Sequence, residues 1–160
     1  MPVSGEDRII AYTDGGCLGN PGPGGWGAVL LYQGNRRELS GGYKLTTNNR
    51  MELMGAIAAL EALKGERRNV VLHSDSQYVV NAVEKGWAQG WKRNNWIKKD
   101  KQPAMNPDLW ERLLGLCARH TVSFVWVKGH AGNIENERCD VLANQEARKP
   151  DLPPDPGYGA

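Results

Sequence analysis

If this sequence carries chemistry, two aspartates are where to look first. Ile9-Ile10-Ala11-Tyr12-Thr13-Asp14 and Val70-Val71-Leu72-His73-Ser74-Asp75 each run from apolar residues through a hydroxyl residue to a carboxylate. As neighbouring parallel strands they would set both acids at one carboxyl edge of a sheet, where open α/β sheets build their sites. Singly, each has an ordinary explanation: Asp14 opens a turn, and Asp75 caps a helix starting at Ser76. That explanation weakens for the matched pair. Glu52 adds a third acid, falling beside Ala59 and Leu63 at about 100° per residue while Glu61 points away. Alone it reads equally well as a solvated first-turn glutamate favoured by the helix dipole. Asp140 is the fourth, beside Ala143 and Ala147 on the last helix, although pairing with Arg138 or Lys128 would also account for it. Four carboxylates in one cavity cannot all ionise cheaply without a cation between them. Oxygen-only ligands favour Mg²⁺ or Mn²⁺. Two such ions about 4 Å apart can clamp the attacking and leaving oxygens of a phosphodiester.

The elements that must position these acids follow from hydrophobic period. Residues 8–14, 26–33 and 38–45 read as strands, the last two joined by a turn around Gly34-Asn35 into an antiparallel meander. Residues 47–63 read as a helix. Thr46, Thr47 and Asn48 are its candidate caps, and Leu53, Ala56, Ile57, Leu60 and Leu63 form one stripe. Strand 69–75 and helix 76–84 come next, then a tryptophan-rich helical segment and a basic loop. Helix 107–119 carries a proline in its first turn, and strand 122–128 and helix 134–148 complete the order. The order β-β-β-α-β-α-α-α-β-α implies a mixed α/β sheet with helices on its faces.

The chain of 160 residues suits one domain spanning 8–148. Residues 1–7 are expected to be flexible, and 149–160, rich in proline and glycine, to be disordered. No run approaches the length of a membrane span, and the first residues lack signal-peptide character. Three dispersed cysteines without metal-ligand spacing suit a reducing cytoplasm. A net charge of +2 says little, but its distribution says more. Residues 85–101, KGWAQGWKRNNWIKKDK, hold three of the six tryptophans among six cations and one acid. Interleaved rings and cations suit a nucleic-acid backbone. The plainer alternative is an exposed helix with core-anchoring tryptophans, and Trp87 and Trp91 are expected to face inward more than Trp96. Gly22-Pro23-Gly24-Gly25-Trp26-Gly27 matches a dinucleotide-binding glycine pattern. It precedes a strand rather than a helix, so that reading fails.

The words YTDGGCLGNPGPGGWGAVL, TTNNRMELMGAIAALEAL, HSDSQYVVNAV and WVKGHAGNIENERCDVLA, in this order, closely resemble the bacterial type 1 ribonuclease H family. The resemblance implies a ribonuclease H-like fold, a five-stranded mixed sheet of order 3-2-1-4-5 flanked by helices, and endonucleolytic cleavage of RNA paired to DNA. It makes Asp14, Glu52, Asp75 and Asp140 the acids binding two Mg²⁺ ions, with Mn²⁺ a substitute, and His130 a mobile catalytic histidine. It sets Cys17, Asn20, Asn49 and Gln77 at the hybrid's minor groove, and Thr47 and Asn48 at a DNA-strand phosphate. Trp87, Trp91, Lys92 and Arg93 correspond to a protrusion on the DNA strand, and Arg138 to a further substrate contact. Leu45 stands where relatives often carry a basic residue, Asn133 where some have histidine, and Gly16 where some have serine.

The mechanism implied is in-line attack of metal-activated water on a phosphorus of the RNA strand, leaving 5′-phosphate and 3′-hydroxyl ends. Asp14 would serve both ions, Glu52 and Asp75 one, and Asp140 the other, with Glu52 also beside the 2′-hydroxyl. The expected protein is a monomer whose partner is the hybrid and not a membrane. Two alternatives compete: a hybrid-binding module that does not cut, and an integrase or junction resolvase with a similar acidic cluster. All four acids oppose the first, and the basic protrusion together with TTNNRMEL opposes the second.

Overall fold

The computed structural model describes residues 7–129 and 131–158. Its strands are β1 (Arg8–Cys17), β2 (Gly22–Tyr32), β3 (Asn35–Thr46), β4 (Asn69–Ser74) and β5 (Thr121–Trp126). The helices are α1 (Asn48–Glu61), α2 (Gln77–Glu84), α3 (Trp87–Arg93), α4 (Pro107–Arg119) and α5 (Ile134–Ala147). The five strands form one sheet in the order β3-β2-β1-β4-β5. Pairing is antiparallel from β1 through β3 and parallel on the other side, β1 with β4 and β4 with β5. The expected mixed sheet and its order are therefore found.

Two helices fix the site. The Thr47 side chain accepts from the backbone N–H of Arg50 and caps α1. This helix is buried nearly all round, not along the single stripe its sequence suggests, because it is packed between the sheet and α4. Its Leu53, Ile57 and Leu60 are each worth about 1.5–3 kcal/mol of burial. Helix α5, capped by Asn133, lies over β1 and β2 through Cys139, Leu142, Ala143 and Ala147.

The glycine-rich stretch after Asp14 departs from expectation. It is mostly strand, since β1 runs on to Cys17 and β2 already begins at Gly22. The reason is close approach of the helices. A Cβ on Gly15 would overlap the Met51 carbonyl group of α1, and one on Gly25 would overlap the Ala143 oxygen of α5. On Gly27 it would stand 2.6 Å from the Cys139 oxygen. These glycines let both helices settle against the sheet.

The 149–158 segment is also ordered against the sheet, contrary to the disorder expected of it. The Lys44 backbone N–H donates to the Pro153 oxygen at 2.9 Å, and Asp155 is buried against Arg50 and Thr46. Its composition cannot build a core, but it needs none, because it packs on a surface already formed. Its prolines lessen the entropy lost on ordering. Residues 1–6, expected to be flexible, lie outside the described residues.

Candidate active site

The parallel register aligns Thr13 with Ser74, so Asp14 on β1 and Asp75 just past the end of β4 both follow the last paired position. The Gly15 backbone N–H donates to Asp14 Oδ1 at 2.8 Å. The Asp75 backbone oxygen accepts from the Trp126 indole at 3.2 Å, tying this acid to β5. Glu52, on α1, comes over the same edge because Gly15 leaves room for the helix backbone there. Asp14, Glu52 and Asp75 each offer a carboxylate oxygen within 4.8 Å of the other two. Asp140 stands outside this trio. It lines an adjoining cavity of about 190 Å³ with Gly15, Asn48 and Ala143, and its Oδ1 accepts from Asn144 Nδ2 at 3.3 Å. Pairing with Arg138 does not account for Asp140, since Arg138 closes its fork on Glu38 of β3 at 2.7 and 3.0 Å.

The trio is costly while no counter-charge sits within it. Burial and then the negative charges of Asp75 and Asp140 push the Asp14 carboxyl up to about 8, against the opposing help of the Gly15 N–H. Burial, followed by Asp14, Asp75 and Asp140, holds Glu52 well above the usual carboxylate range. Glu52 Oε2 is buried and has no hydrogen-bond partner among the described residues. A buried, unpartnered acceptor facing two other carboxylates is the donor set for a hard cation, so these residues fit a divalent metal.

The sequence pattern of the RNase H family matches residues 6–148. The chain belongs to the ribonuclease H family. It is thus a phosphodiester-hydrolysing nuclease. It is 63% identical over 153 residues to the ribonuclease H of Syntrophus aciditrophicus, covering 96% of this chain and 88% of the relative. Its fold matches LC9-RNase H1, described as a type 1 RNase H with the type 2 active-site motif. That match has a TM-score of 0.79 and 34% identity, over 91% of this chain and 74% of the other. It also matches LC11-RNase H1, solved in complex with an RNA/DNA hybrid, at TM-score 0.65 and 29% identity over 86% and 94% of the two chains.

Around these acids, several residues expected to touch substrate form one tied surface. Asn48 Oδ1 accepts from the Cys17 N–H at 2.8 Å, and Asn20 Oδ1 accepts from the Asn48 N–H at 3.1 Å. The β1–β2 turn is thereby fastened to the start of α1. Asn20, Asn48 and Asn49 are exposed, as is Gln77 just after the Ser76 cap of α2. On α3 the tryptophans depart from expectation. Trp87 is exposed with the Lys85 ammonium 5.6 Å from its ring centroid, whereas Trp96 packs against the core. Trp91 does turn inward, against Tyr78 and Trp110 at centroid distances of 6.3 and 5.9 Å, and anchors the protrusion. Lys92 and Arg93 remain exposed in the last turn of α3. The Arg138 guanidinium is held by Glu38 on the β3 side. His130 lies outside the described residues. Its neighbour Gly129 leans on the acids, for a Cβ there would stand 2.9 Å from Asp75 Oδ2.

Sequence reasoning passed over two things. One is the packing role of Gly15, Gly25 and Gly27, for which glycine inside a strand is the available signal. The other is Arg50, two residues before Glu52 and 2% exposed. Its partners Asp108 and Asp155 lie too far along the chain for any periodicity to reveal.

Proposed function

We propose that this protein is an endoribonuclease that hydrolyses the RNA strand of RNA/DNA hybrids, leaving 5′-phosphate and 3′-hydroxyl ends. The observation that carries this reading is the trio of carboxylate oxygens within 4.8 Å, set on a ribonuclease H fold with Glu52 Oε2 buried and unpartnered. Asp14, Glu52, Asp75 and Asp140 would hold two Mg²⁺ ions, with Mn²⁺ a substitute. Bound there, the ions lower the pKa of water and neutralise charge on the attacking and leaving oxygens. Asp14, steadied by the Gly15 N–H, would serve both ions; Glu52 and Asp75 would complete one set and Asp140 the other.

The protein's own residues do the positioning. Cys17, Asn20, Asn49 and Gln77 would read 2′-hydroxyls and groove shape rather than base sequence. Thr47 and Asn48 would hold a DNA-strand phosphate, less firmly than where a cation replaces Leu45, which is 50% exposed here. Trp87, Lys92 and Arg93 would meet the DNA backbone. His130 would move a proton or help product depart. We assign the protein to the cytoplasm as a monomer; none of its described helices is long and apolar enough to cross a membrane. The relative solved with an RNA/DNA hybrid supports the substrate assignment.

The test is incubation with labelled hybrid, double-stranded RNA and double-stranded DNA, in Mg²⁺ or EDTA. Mg²⁺-dependent cutting confined to the RNA of the hybrid is expected; tight binding without cutting would refute the proposal. Asp14→Asn should abolish turnover while retaining binding.

A further inference from the structure

The charged anchor of the 149–158 segment is Arg50. All five donors of the buried Arg50 guanidinium are engaged. Nε and Nη2 donate to Asp155 at 2.7 and 3.0 Å. Nη1 and Nη2 donate to Asp108 at 2.9 and 2.7 Å, and Nη1 donates to Asn106 Oδ1 at 3.2 Å. Asp155 Oδ2 also accepts from the Thr46 hydroxyl at 2.7 Å. One side chain in the first turn of α1 therefore gathers the end of β3, the start of α4 and this segment. Beyond Asp155 the chain turns, the Tyr158 N–H donating to the Asp155 oxygen at 3.2 Å. Tyr158 ends half-buried in the wall of a cavity of about 530 Å³, facing a rim that includes Asn20, Thr47 and Asn48.

This cavity borders the one beside the acidic site, and the two share a wall residue. Asn48 belongs to its wall and also to the wall of the cavity that holds Asp140. A duplex lying over the acids and crossing Asn48 arrives at Tyr158. The electrostatics then decide what Tyr158 must do. Arg50 is the sole cation among the described residues lining this cavity, and two carboxylates neutralise it. A phosphodiester strand entering here must be met by neutral groups. A tyrosine supplies both a hydroxyl donor for a phosphate oxygen and a ring face for a sugar.

We propose that the 149–158 segment is part of the substrate-binding surface and that Tyr158 contacts the sugar–phosphate backbone of the bound hybrid. The proposal rests on the reading of this protein as a hybrid-cleaving nuclease. The experiment compares the wild-type chain with Tyr158→Ala and Tyr158→Phe. It measures KM and kcat on labelled hybrid in Mg²⁺, Kd in an Asp14→Asn background, and the urea midpoint of each. Tyr158→Ala should raise KM and Kd about three- to ten-fold, with kcat and the midpoint held, and Tyr158→Phe should show part of that loss. The slope of log Kd against log salt should stay unchanged, because no cation is removed. An unchanged KM in Tyr158→Ala overturns the proposal. So does a lowered midpoint accompanied by a loss of kcat alone, which would mark a purely structural prop. If the wild-type chain itself neither binds nor cuts hybrid, it is the functional reading that fails instead.

Discussion

Gly15→Ala tests how the acid cluster is assembled. The new Cβ would overlap the Met51 carbonyl group and stand 2.5 Å from the Glu52 backbone nitrogen, where ordinary contact begins at 3.4 Å. Both clashes are with the backbone of α1, so no side-chain rotation relieves them. The helix must withdraw by about 1 Å or more, with Met51, Leu53 and Ile57 moving in a filled core. Such overpacking costs about 1–3 kcal/mol, or a fall in Tm of roughly 2–12 °C for a chain of this size. The same retreat carries Glu52 from Asp14 and Asp75, and about 1 Å of misplacement at a reacting centre costs on the order of 100-fold in rate. Urea and thermal unfolding, with initial rates of hybrid cleavage in Mg²⁺, measure the two effects. Gly115→Ala is the control: its Cβ would meet nothing within 4 Å at an exposed position of α4, so it should gain about 0.5–1 kcal/mol and leave the rate alone. A Gly15→Ala protein with a Tm within 1 °C and a rate within twofold of wild type would refute the packing argument.

Other outcomes follow from the same structure. In EDTA, the raised Asp14 carboxyl favours folding when protonated. The contribution of this group to stability should therefore be greatest below about pH 4, fall as pH rises toward about 8, and recover when Mg²⁺ is added. Asp14→Asn should flatten that profile in urea titrations and stabilise the metal-free protein at pH 8. Arg50→Met should cost about 3–5 kcal/mol in denaturant unfolding, because it leaves Asp155 buried without its counter-charge. Despite its burial, Asp155 is held below the usual carboxylate range by Arg50 and Thr46. That part of the stability should be present above about pH 4 and lost as pH falls further. Lys92→Ala and Arg93→Ala should each weaken hybrid binding and lower the magnitude of the salt slope by about one, measured by anisotropy at several salt concentrations.

By itself the sequence determined where Asp14 and Asp75 fall on the sheet. The IIAYTD and VVLHSD runs set Asp14 and Asp75 in adjacent register because a strand's period is local and a parallel ladder aligns equivalent ends. Helix α4 was legible to the residue from Pro107 and its apolar spacing, and Thr47, one of three candidates, caps α1; α2 is capped by Ser76 and not by Asp75, the cap the sequence offered. Tertiary structure alone decided the rest. The glycines after Asp14 look like turn residues along the chain; only the arrival of α1 and α5 shows that they are strand positions cleared for helix backbone. Trp87 and Trp96 exchange their expected exposures because α3 is short and its orientation is set by the aromatic contact of Trp91 with Tyr78 and Trp110. The proline-rich segment cannot bury a core of its own and so reads as disordered. Its order comes from Arg50, some hundred residues away, whose buried charge requires the carboxylate that Asp155 brings. Local period and residue type act over a few residues, whereas burial and charge compensation exist only once distant segments share the same space.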